Sequence, residues 1–293
     1  MSPADALFPG FVVNDIPTAG ATIRCRIGGD GPALLLLHGY PQTHIMWRRI
    51  APRLARRFTV ICPDLRGYGD SSKPPSAPDH APYSKRAMAQ DMAEVMTALG
   101  HHKFFVGSHD RGARVAHRLA LDHADRVLKL ATLDIAPTRE MYRDATDAFA
   151  RAYWHWFFLI QPAPMPEKMI GADPDFYWTS RRASDMKLFE PEALAEYLRC
   201  FRDPAVIHAS CEDYRAAATI DIAHDDADGG RKVACPMLAL WGERGAVHRC
   251  FDVLKLWRER ADDVRGRSLP GGHYLAEELP DIVAQEFETF FTE

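Results

Sequence analysis

The chain has 293 residues, 47% of them hydrophobic, which fits one large globular unit with a sizeable core. Its 36 basic and 40 acidic residues leave a formal charge of −4, which argues against nucleic acid as the main partner. No apolar run approaches the length of a membrane span, and the first residues lack a basic segment followed by an apolar core. We therefore expect neither export nor a membrane anchor.

The cysteines are far apart and form no Cys-x-x-Cys pair. We interpret them as reduced thiols, which predicts a cytoplasmic protein. They are Cys25, Cys62, Cys200, Cys211, Cys235 and Cys250.

Predicted strands and helices alternate in the first part of the chain. Residues 21–27 alternate apolar and polar side chains, which predicts an exposed early strand. Residues 33–37 and 58–62 are continuous apolar runs, typical of parallel strands buried on both faces. A predicted helix over residues 85–99 then leads to a third buried strand that starts at Phe104.

That third strand runs into the most informative stretch of the sequence, residues 104–118. The small residues Ser108 and Gly112 lie two positions before and after Asp110, which predicts a strand, a sharp turn and a helix with Asp110 at the apex. A carboxylate thus occupies the nucleophile position of a Gly-x-Ser-x-Gly elbow, where it can attack carbon and form an ester. An aspartate between strand and helix can equally be a simple helix N-cap, and this motif alone leaves both interpretations open.

Two further polar residues follow predicted strands. Residues 127–133 predict a buried strand that ends at Asp134, and residues 266–269 predict a last strand that leads to His273. Open α/β sheets place their chemistry at the carboxyl ends of parallel strands. The order Asp110, Asp134, His273 is the nucleophile, acid, histidine order of an α/β-hydrolase triad. Taken alone, Asp134 is more simply a turn-forming residue.

The alternation of strand and helix stops between Pro137 and about residue 232, in a stretch rich in aromatic residues and prolines. We predict a mostly helical cap over residues 138–232, inserted into a core domain made of residues 1–137 and 233–293. The core resumes with a predicted strand over residues 233–241 and ends in a helix over 280–291.

Two arginines follow the predicted nucleophile. Arg111 is the next residue, and Arg114 lies one helical turn further on. With the positive end of the helix, these guanidiniums should keep Asp110 ionised at neutral pH. Arginine binds carboxylates through two parallel hydrogen bonds, so the pair predicts a small anionic substrate. Taken alone, Arg114 could be an ordinary surface residue of a helix, but this interpretation is weak for a residue beside Arg111.

With residues 38–41 as an oxyanion loop and the Gly-Tyr-Gly-Asp-Ser motif at 67–71, the chain resembles the α/β-hydrolase superfamily along nearly its full length. An aspartate nucleophile narrows the resemblance to haloalkane dehalogenases, epoxide hydrolases and fluoroacetate dehalogenases. The first two generally carry Trp where this chain has Arg111. The Asp-Arg-Gly-Ala-Arg motif and residues 153–156 and 211–216 resemble the fluoroacetate (haloacetate) dehalogenases.

The resemblance implies an α/β-hydrolase fold, a mostly parallel sheet flanked by helices, with a helical cap. It also implies a homodimer that hydrolyses haloacetates to glycolate and halide through an aspartyl ester, without metal or organic cofactor. The implied site residues are Asp110, Asp134 and His273 for catalysis, Arg111 and Arg114 for the substrate carboxylate, His155, Trp156 and Tyr214 for the halide, and the backbone N–H groups of Tyr40 and Arg111 for the oxyanion.

The cap departs from the family after residues 173–177, where relatives often carry a further Trp and this chain has the shorter segment 181–186. This difference concerns the pocket wall, and with it the preferred halide or acid. Two alternatives remain open. An epoxide hydrolase would use the same triad with Tyr153, Tyr197 or Tyr214 as proton donors, and a non-catalytic binding protein could share the scaffold.

Overall fold

A computed structural model describes residues 6–180 and 186–293. Residues 1–5 and 181–185 lie outside the described part of the chain. The prediction for the first residues concerns, in part, residues outside the described structure. Most of the segment 181–186, where we expect a difference from the family, also lies outside it.

An eight-stranded sheet forms the centre of the described structure, in the order β1-β2-β4-β3-β5-β6-β7-β8. The pairs β1–β2 and β2–β4 are antiparallel, and all other neighbouring pairs are parallel. The strands are β1 (Val12–Pro17), β2 (Thr22–Gly28), β3 (Ala33–Leu37), β4 (Thr59–Pro63), β5 (Phe104–His109), β6 (Val127–Leu133), β7 (Met237–Gly242) and β8 (Val264–Leu269).

The apolar runs of the sequence become the centre of this sheet. All residues of β3 are buried, and β3 and β6 begin and end where the apolar patterns predict. A strand does form near residues 21–27, but the prediction that it is exposed was wrong. β2 lies between β1 and β4, and its Ile23 and Cys25 side chains are completely buried. β7 begins only at Met237, after Pro236, which has no N–H for the ladder.

Helices flank the sheet and fill the interval between β6 and β7. They are α1 (Ala51–Leu54), α2 (Lys85–Ala98), α3 (Asp110–Asp122), α4 (Thr138–Arg143), α5 (Asp147–Ala152), α6 (Trp154–Leu159), α7 (Met165–Ala172), α8 (Pro174–Ser180), α9 (Pro191–Phe201), α10 (Pro204–Ala218), α11 (Ile220–Asp228), α12 (Ala246–Cys250), α13 (Val253–Arg260), α14 (Leu275–Glu278) and α15 (Pro280–Thr292).

The helices α4 to α11 form the region that we call the cap, and the rest of the described chain is the core. Several of these helices begin at a proline, whose fixed φ suits the first helical turn and whose missing N–H costs nothing there. As predicted, the described residues between β6 and β7 form no strand of the sheet. The domain boundaries at residues 137 and 233 stay a prediction.

Among residues 6–180 and 186–293, no helix has the length and apolar character needed to cross a membrane. The six cysteines all lie in this part of the chain, and all are free thiols.

Candidate active site

The turn between β5 and α3 places Asp110 in a strained conformation at the carboxyl end of the sheet. Its φ is +46°, a left-handed value that is costly for a residue with a side chain. The turn is tight, since a Cβ on Gly112 would lie 2.3 Å from the His38 carbonyl oxygen and one on Gly39 would lie 2.5 Å from the Asp110 Cβ. Glycine at these two positions lets the chain approach closely enough to present Asp110 at the apex.

Asp110, His273 and Asp134 lie together at this edge of the sheet. The His273 Nδ1 is 2.6 Å from the Asp134 Oδ2, and the His273 Nε2 is 3.9 Å from the Asp110 Oδ2. Because an ionised carboxylate only accepts hydrogen bonds, Nδ1 is the donor to Asp134, which leaves Nε2 directed at Asp110. The Gly242 N–H donates to the second Asp134 oxygen at 2.9 Å and fixes the orientation of this carboxylate.

The Asp110 carboxyl is buried, yet its surroundings favour the ionised form. Burial raises the pKa of this group, but the His273 ring and the guanidiniums of Arg114 and Arg111 outweigh it and hold the pKa below the usual aspartate range. The Tyr40 backbone N–H donates to the Asp110 Oδ1 at 3.0 Å. Asp110 thus receives a donor from another loop, which an N-cap role for its own helix would not explain.

Arg114 is a buried cation that has no acidic ion-pair partner among the described residues. It is 2% exposed, so the interpretation of Arg114 as a surface residue was wrong. Its Nη1 donates to the Thr138 hydroxyl at 2.8 Å and to the Ala136 carbonyl oxygen at 3.3 Å, and the guanidinium lies 4.7 Å from the centre of the Trp156 ring. In the described ranges it makes no salt bridge, and its Nε has no hydrogen-bond partner.

The surroundings of Arg114 make its charged form less stable than in water. Burial, and then the nearby Arg111, lower the pKa of its guanidinium, and the attraction of the Asp110 carboxylate does not offset them. A buried cation of this kind is stabilised when an anion binds beside it.

Arg111 is fully buried and, unlike Arg114, has an acidic partner. Its Nε and Nη2 donate to the two carboxylate oxygens of Asp213 on α10, at 2.9 and 2.8 Å. Its guanidinium also lies 4.1 Å from the centre of the Tyr214 ring. The Nη1 has no hydrogen-bond partner within the described chain, so one side of the guanidinium is available to a ligand.

The cap brings His155, Trp156 and Tyr214 close to each other and to the Tyr40 ring. Ring centres of His155 and Trp156 lie 5.8 and 6.3 Å from that of Tyr214, and the Tyr40 ring is 5.2 Å from Tyr214. The Trp156 indole N–H is buried and has no hydrogen-bond acceptor in the described ranges. Such a donor can stabilise an anion that enters the site.

Sequence comparisons show the family to which this chain belongs. A family model described as the alpha/beta hydrolase fold matches residues 32–260. A fluoroacetate dehalogenase from Burkholderia sp is 51% identical to this chain over 294 aligned positions, which cover 98% of this chain and 96% of that protein. The chain belongs to the fluoroacetate (haloacetate) dehalogenase family of the α/β-hydrolase superfamily.

Other relatives of this family member show the breadth of the superfamily. A soluble epoxide hydrolase from Corynebacterium sp. (strain C12) is 34% identical over 273 positions, which cover 90% of this chain and 91% of that protein. The crystal structure of a Nostoc sp PCC 7120 protein, described as an α/β hydrolase, has a TM-score of 0.94 and 58% identity, with 97% of this chain and 98% of that chain covered.

Two residues of this dehalogenase-family site were given no role from the sequence. Asp213 binds Arg111, although it lies 102 positions away in the chain. His109 precedes the apex, and its Nε2 is 2.8 Å from the His273 backbone oxygen. Burial lowers the pKa of His109 to about 3, so the ring is neutral at pH 7 and its Nε2–H can donate to that oxygen. Asp213 adjoins Tyr214 in the 211–216 segment, which was the one available signal.

No cluster of three or more His, Cys, Asp or Glu side chains that could hold a metal ion occurs within residues 6–180 and 186–293.

Proposed function

We propose that this protein hydrolyses haloacetates, with fluoroacetate and chloroacetate as the substrates to test, to glycolate and halide. The observation that carries the proposal is the buried Arg114 guanidinium, which has no acidic partner in the described chain and lies one helical turn after Asp110. A substrate carboxylate would neutralise it and accept a further hydrogen bond from the Arg111 Nη1.

In the first step, Asp110 attacks the α-carbon of the bound haloacetate. The carbon–halogen bond breaks, the halide leaves with the bonding electrons, and a glycolyl ester forms on Asp110. The low pKa of the Asp110 carboxyl supports this step, since only the ionised form is a nucleophile. The arginines contribute by holding the carbon in line with the attacking oxygen.

The leaving halide would be stabilised by His155, Trp156 and Tyr214. Fluoride is a charge-dense and poor leaving group, so N–H and O–H donors placed where its charge develops lower the barrier. The buried Trp156 N–H, which has no acceptor in the part of the chain that the structure describes, supports this assignment.

In the second step, water hydrolyses the ester. The His273 Nε2 takes a proton from a water molecule that attacks the carboxyl carbon of Asp110, while Asp134 holds the ring through Nδ1. The backbone N–H of Tyr40 donates to the Asp110 Oδ1, and with the Arg111 N–H it would stabilise the oxyanion that forms there. The bond between the Asp110 carboxyl carbon and the ester oxygen then breaks. This oxygen takes the proton from His273 and leaves as the hydroxyl of glycolate, while Asp110 regains a carboxylate that contains one oxygen from water.

Epoxide hydrolysis is the second candidate, because a relative with that name covers most of the chain. It would need cap phenols to protonate the epoxide oxygen. Of the three tyrosines named as proton donors for this alternative, Tyr197 donates to Glu277 at 2.7 Å and is already engaged, whereas the Tyr153 hydroxyl is 3.4 Å from the His273 Nδ1. A neutral epoxide would leave Arg114 without an anion, and this favours the haloacetate.

The deciding experiment measures halide release from purified protein with fluoroacetate and chloroacetate in parallel, with Asp110→Asn as the control. Fluoride and chloride release that the control lacks would support the proposal in full. Chloride release alone would restrict the enzyme to easier leaving groups. If neither acid reacts while styrene oxide is hydrolysed, the epoxide alternative replaces the proposal. Binding of small acids without any turnover would instead indicate a non-catalytic binding protein.

A further inference from the structure

We propose that Asp213 is a positioning residue for the substrate carboxylate, because it fixes the Arg111 guanidinium so that only Nη1 remains available to the substrate. The inference rests on the proposed function to the extent that the ligand is a carboxylate. Asp213 touches no reacting atom in this scheme and would act on the substrate carboxylate through Arg111.

The contacts of Arg111 leave its guanidinium one possible orientation. Two parallel hydrogen bonds to the Asp213 carboxylate occupy the Nε and Nη2 edge, and Nη2 also donates to the Asp213 backbone oxygen at 2.8 Å. The Tyr214 ring covers one face at 4.1 Å. Because a planar guanidinium held along one edge and one face cannot rotate, the direction of the Nη1 donor is set by Asp213.

Asp213 is itself held by two core residues. The Tyr68 hydroxyl donates to its Oδ2 at 2.6 Å, and the Lys85 ammonium binds its Oδ1. Burial opposes ionisation of Asp213, but Arg111 and then Lys85 outweigh it and keep the pKa of this carboxyl below its usual range. One cap carboxylate therefore joins three core residues from separate parts of the chain.

The same residue also places part of the halide site. Tyr214 follows Asp213 on α10, and its ring lies against the guanidinium that Asp213 holds. A shift of Asp213 would change the position of the Arg111 Nη1, which would bind the substrate carboxylate, relative to Tyr214, which would bind the halide. An in-line displacement is sensitive to such a shift, since about 1 Å of misplacement can cost about 100-fold in rate.

Electrostatics alone gives the opposite expectation for Asp213. A fixed negative charge beside the anion site repels a carboxylate, so its removal by Asp213→Asn should tighten acetate binding if charge were decisive. If positioning is decisive, the same substitution should weaken binding, because Arg111 loses its paired acceptor and can turn. The direction of the change separates the two accounts.

The experiment measures acetate binding by calorimetry to the wild type, Asp213→Asn and Asp221→Asn. Acetate has no leaving group, so the measurement does not depend on turnover. Asp221 is the matched control, since it is a buried cap aspartate whose Oδ2 lies 3.5 Å from the Lys85 ammonium and which makes no hydrogen bond or salt bridge to Arg111 in the described ranges. Thermal unfolding of each variant is recorded alongside.

Acetate affinity that falls at least about tenfold in Asp213→Asn, as the loss of the Arg111 hydrogen bond to the carboxylate predicts, and stays within about threefold of wild type in Asp221→Asn is the expected result. Unchanged or tighter binding by Asp213→Asn would overturn the proposal, and so would an equal loss in both variants, which would indicate a general effect on the cap. A wild type that binds no acetate would overturn it as well.

If Asp213→Asn does not fold, Tyr68→Phe tests the same link more gently. It removes one hydrogen bond to the Asp213 carboxylate, and acetate affinity should fall by more than about threefold because Asp213 then holds Arg111 less firmly. Unchanged affinity in Tyr68→Phe would then count against the proposal. Chloroacetate turnover, measured on the same samples, tests the proposed function separately: wild type that binds acetate but releases no chloride would refute dehalogenation and leave the positioning role standing.

Discussion

Substitution of Arg114 by Met should impair catalysis without destabilising the fold. The guanidinium is buried, has no acidic partner within the described residues, and is held by the Thr138 hydroxyl, the Ala136 carbonyl oxygen and the Met141 sulfur. Methionine keeps much of the aliphatic length beside Trp156 but removes the charge. Under the proposed function, the substrate carboxylate binds this guanidinium and neutralises its charge.

The magnitudes follow from these contacts. Loss of a charge-assisted, buried contact to the substrate should cost about 3 kcal/mol, which corresponds to a decrease of about 150-fold in kcat/KM for chloroacetate. Removal of a buried cation that makes no salt bridge in the described chain should stabilise the fold by about 1–4 kcal/mol, against about 1–2 kcal/mol for the lost bonds to Thr138 and Ala136 and the lost attraction to Asp110. The free energy of unfolding should therefore stay within about 1 kcal/mol of wild type or rise.

Arg118→Met is the matched control, one turn further along α3. The Arg118 guanidinium pairs with Asp225 and Asp228 of the cap, both at 2.5 Å, so its loss leaves two largely buried carboxylates without this partner. We expect Arg118→Met to lose about 3 kcal/mol of stability and to keep its KM for chloroacetate. Urea unfolding and steady-state chloride release measure both quantities. An Arg114→Met protein that is markedly less stable and binds chloroacetate normally would refute the reasoning.

Three further predictions concern the triad and Asp213. In His273→Asn the second step should fail, so mass spectrometry after exposure to chloroacetate should show one added carboxymethyl group, and an unmodified mass would contradict the ester mechanism. Because the pKa of Asp110 is held low, ester formation measured by rapid quench should not slow between about pH 8 and pH 5, and an acid limb in that range would argue against an ionised nucleophile. The pKa of Asp213 is also lowered, so its contribution to stability is complete above the unfolded pKa of about 3.9 and is lost as the pH falls through the folded pKa. The deficit of Asp213→Asn in urea unfolding, about 3 kcal/mol at pH 7, should narrow below about pH 4; a deficit that widens in acid would contradict this sign.

The sequence was sufficient for the parts of the fold that repeat a simple pattern. β3 and β6 are buried on both faces, so their continuous apolar runs mark their bounds directly. β1 was not predicted, because nearly all its side chains are exposed and nothing in its composition distinguishes it from a loop. Its pairing with β2 also explains why that strand is more buried than its alternating pattern indicated.

The candidate site shows a different limit. Asp110, Asp134 and His273 are recognisable because each follows a strand of one sheet, and the carboxyl ends of parallel strands meet. Arg111 and Arg114 look equivalent in the sequence, since both lie beside the apex. Only the folded chain separates them, because the acidic partner of Arg111 comes from a cap helix about which local pattern says nothing.

An in-line displacement requires that the attacking oxygen, the substrate carbon and the leaving halide lie on one line. In this protein the groups that would hold them belong to two parts of the chain. The attacking oxygen and the guanidiniums belong to the core, whereas the proposed halide donors belong to the cap. Among the contacts that tie the cap to the core are the Arg118 pairs, the Tyr197 bond to Glu277 and the Arg111 pair with Asp213. The first two join residues outside the proposed site, so they can hold the cap without aligning its donors. The Arg111–Asp213 pair joins a proposed substrate-binding residue, Arg111, to the residue that precedes the proposed halide donor Tyr214. Alignment of nucleophile, carbon and leaving group to within about 0.5 Å should therefore depend on this pair more than on the total number of contacts between cap and core.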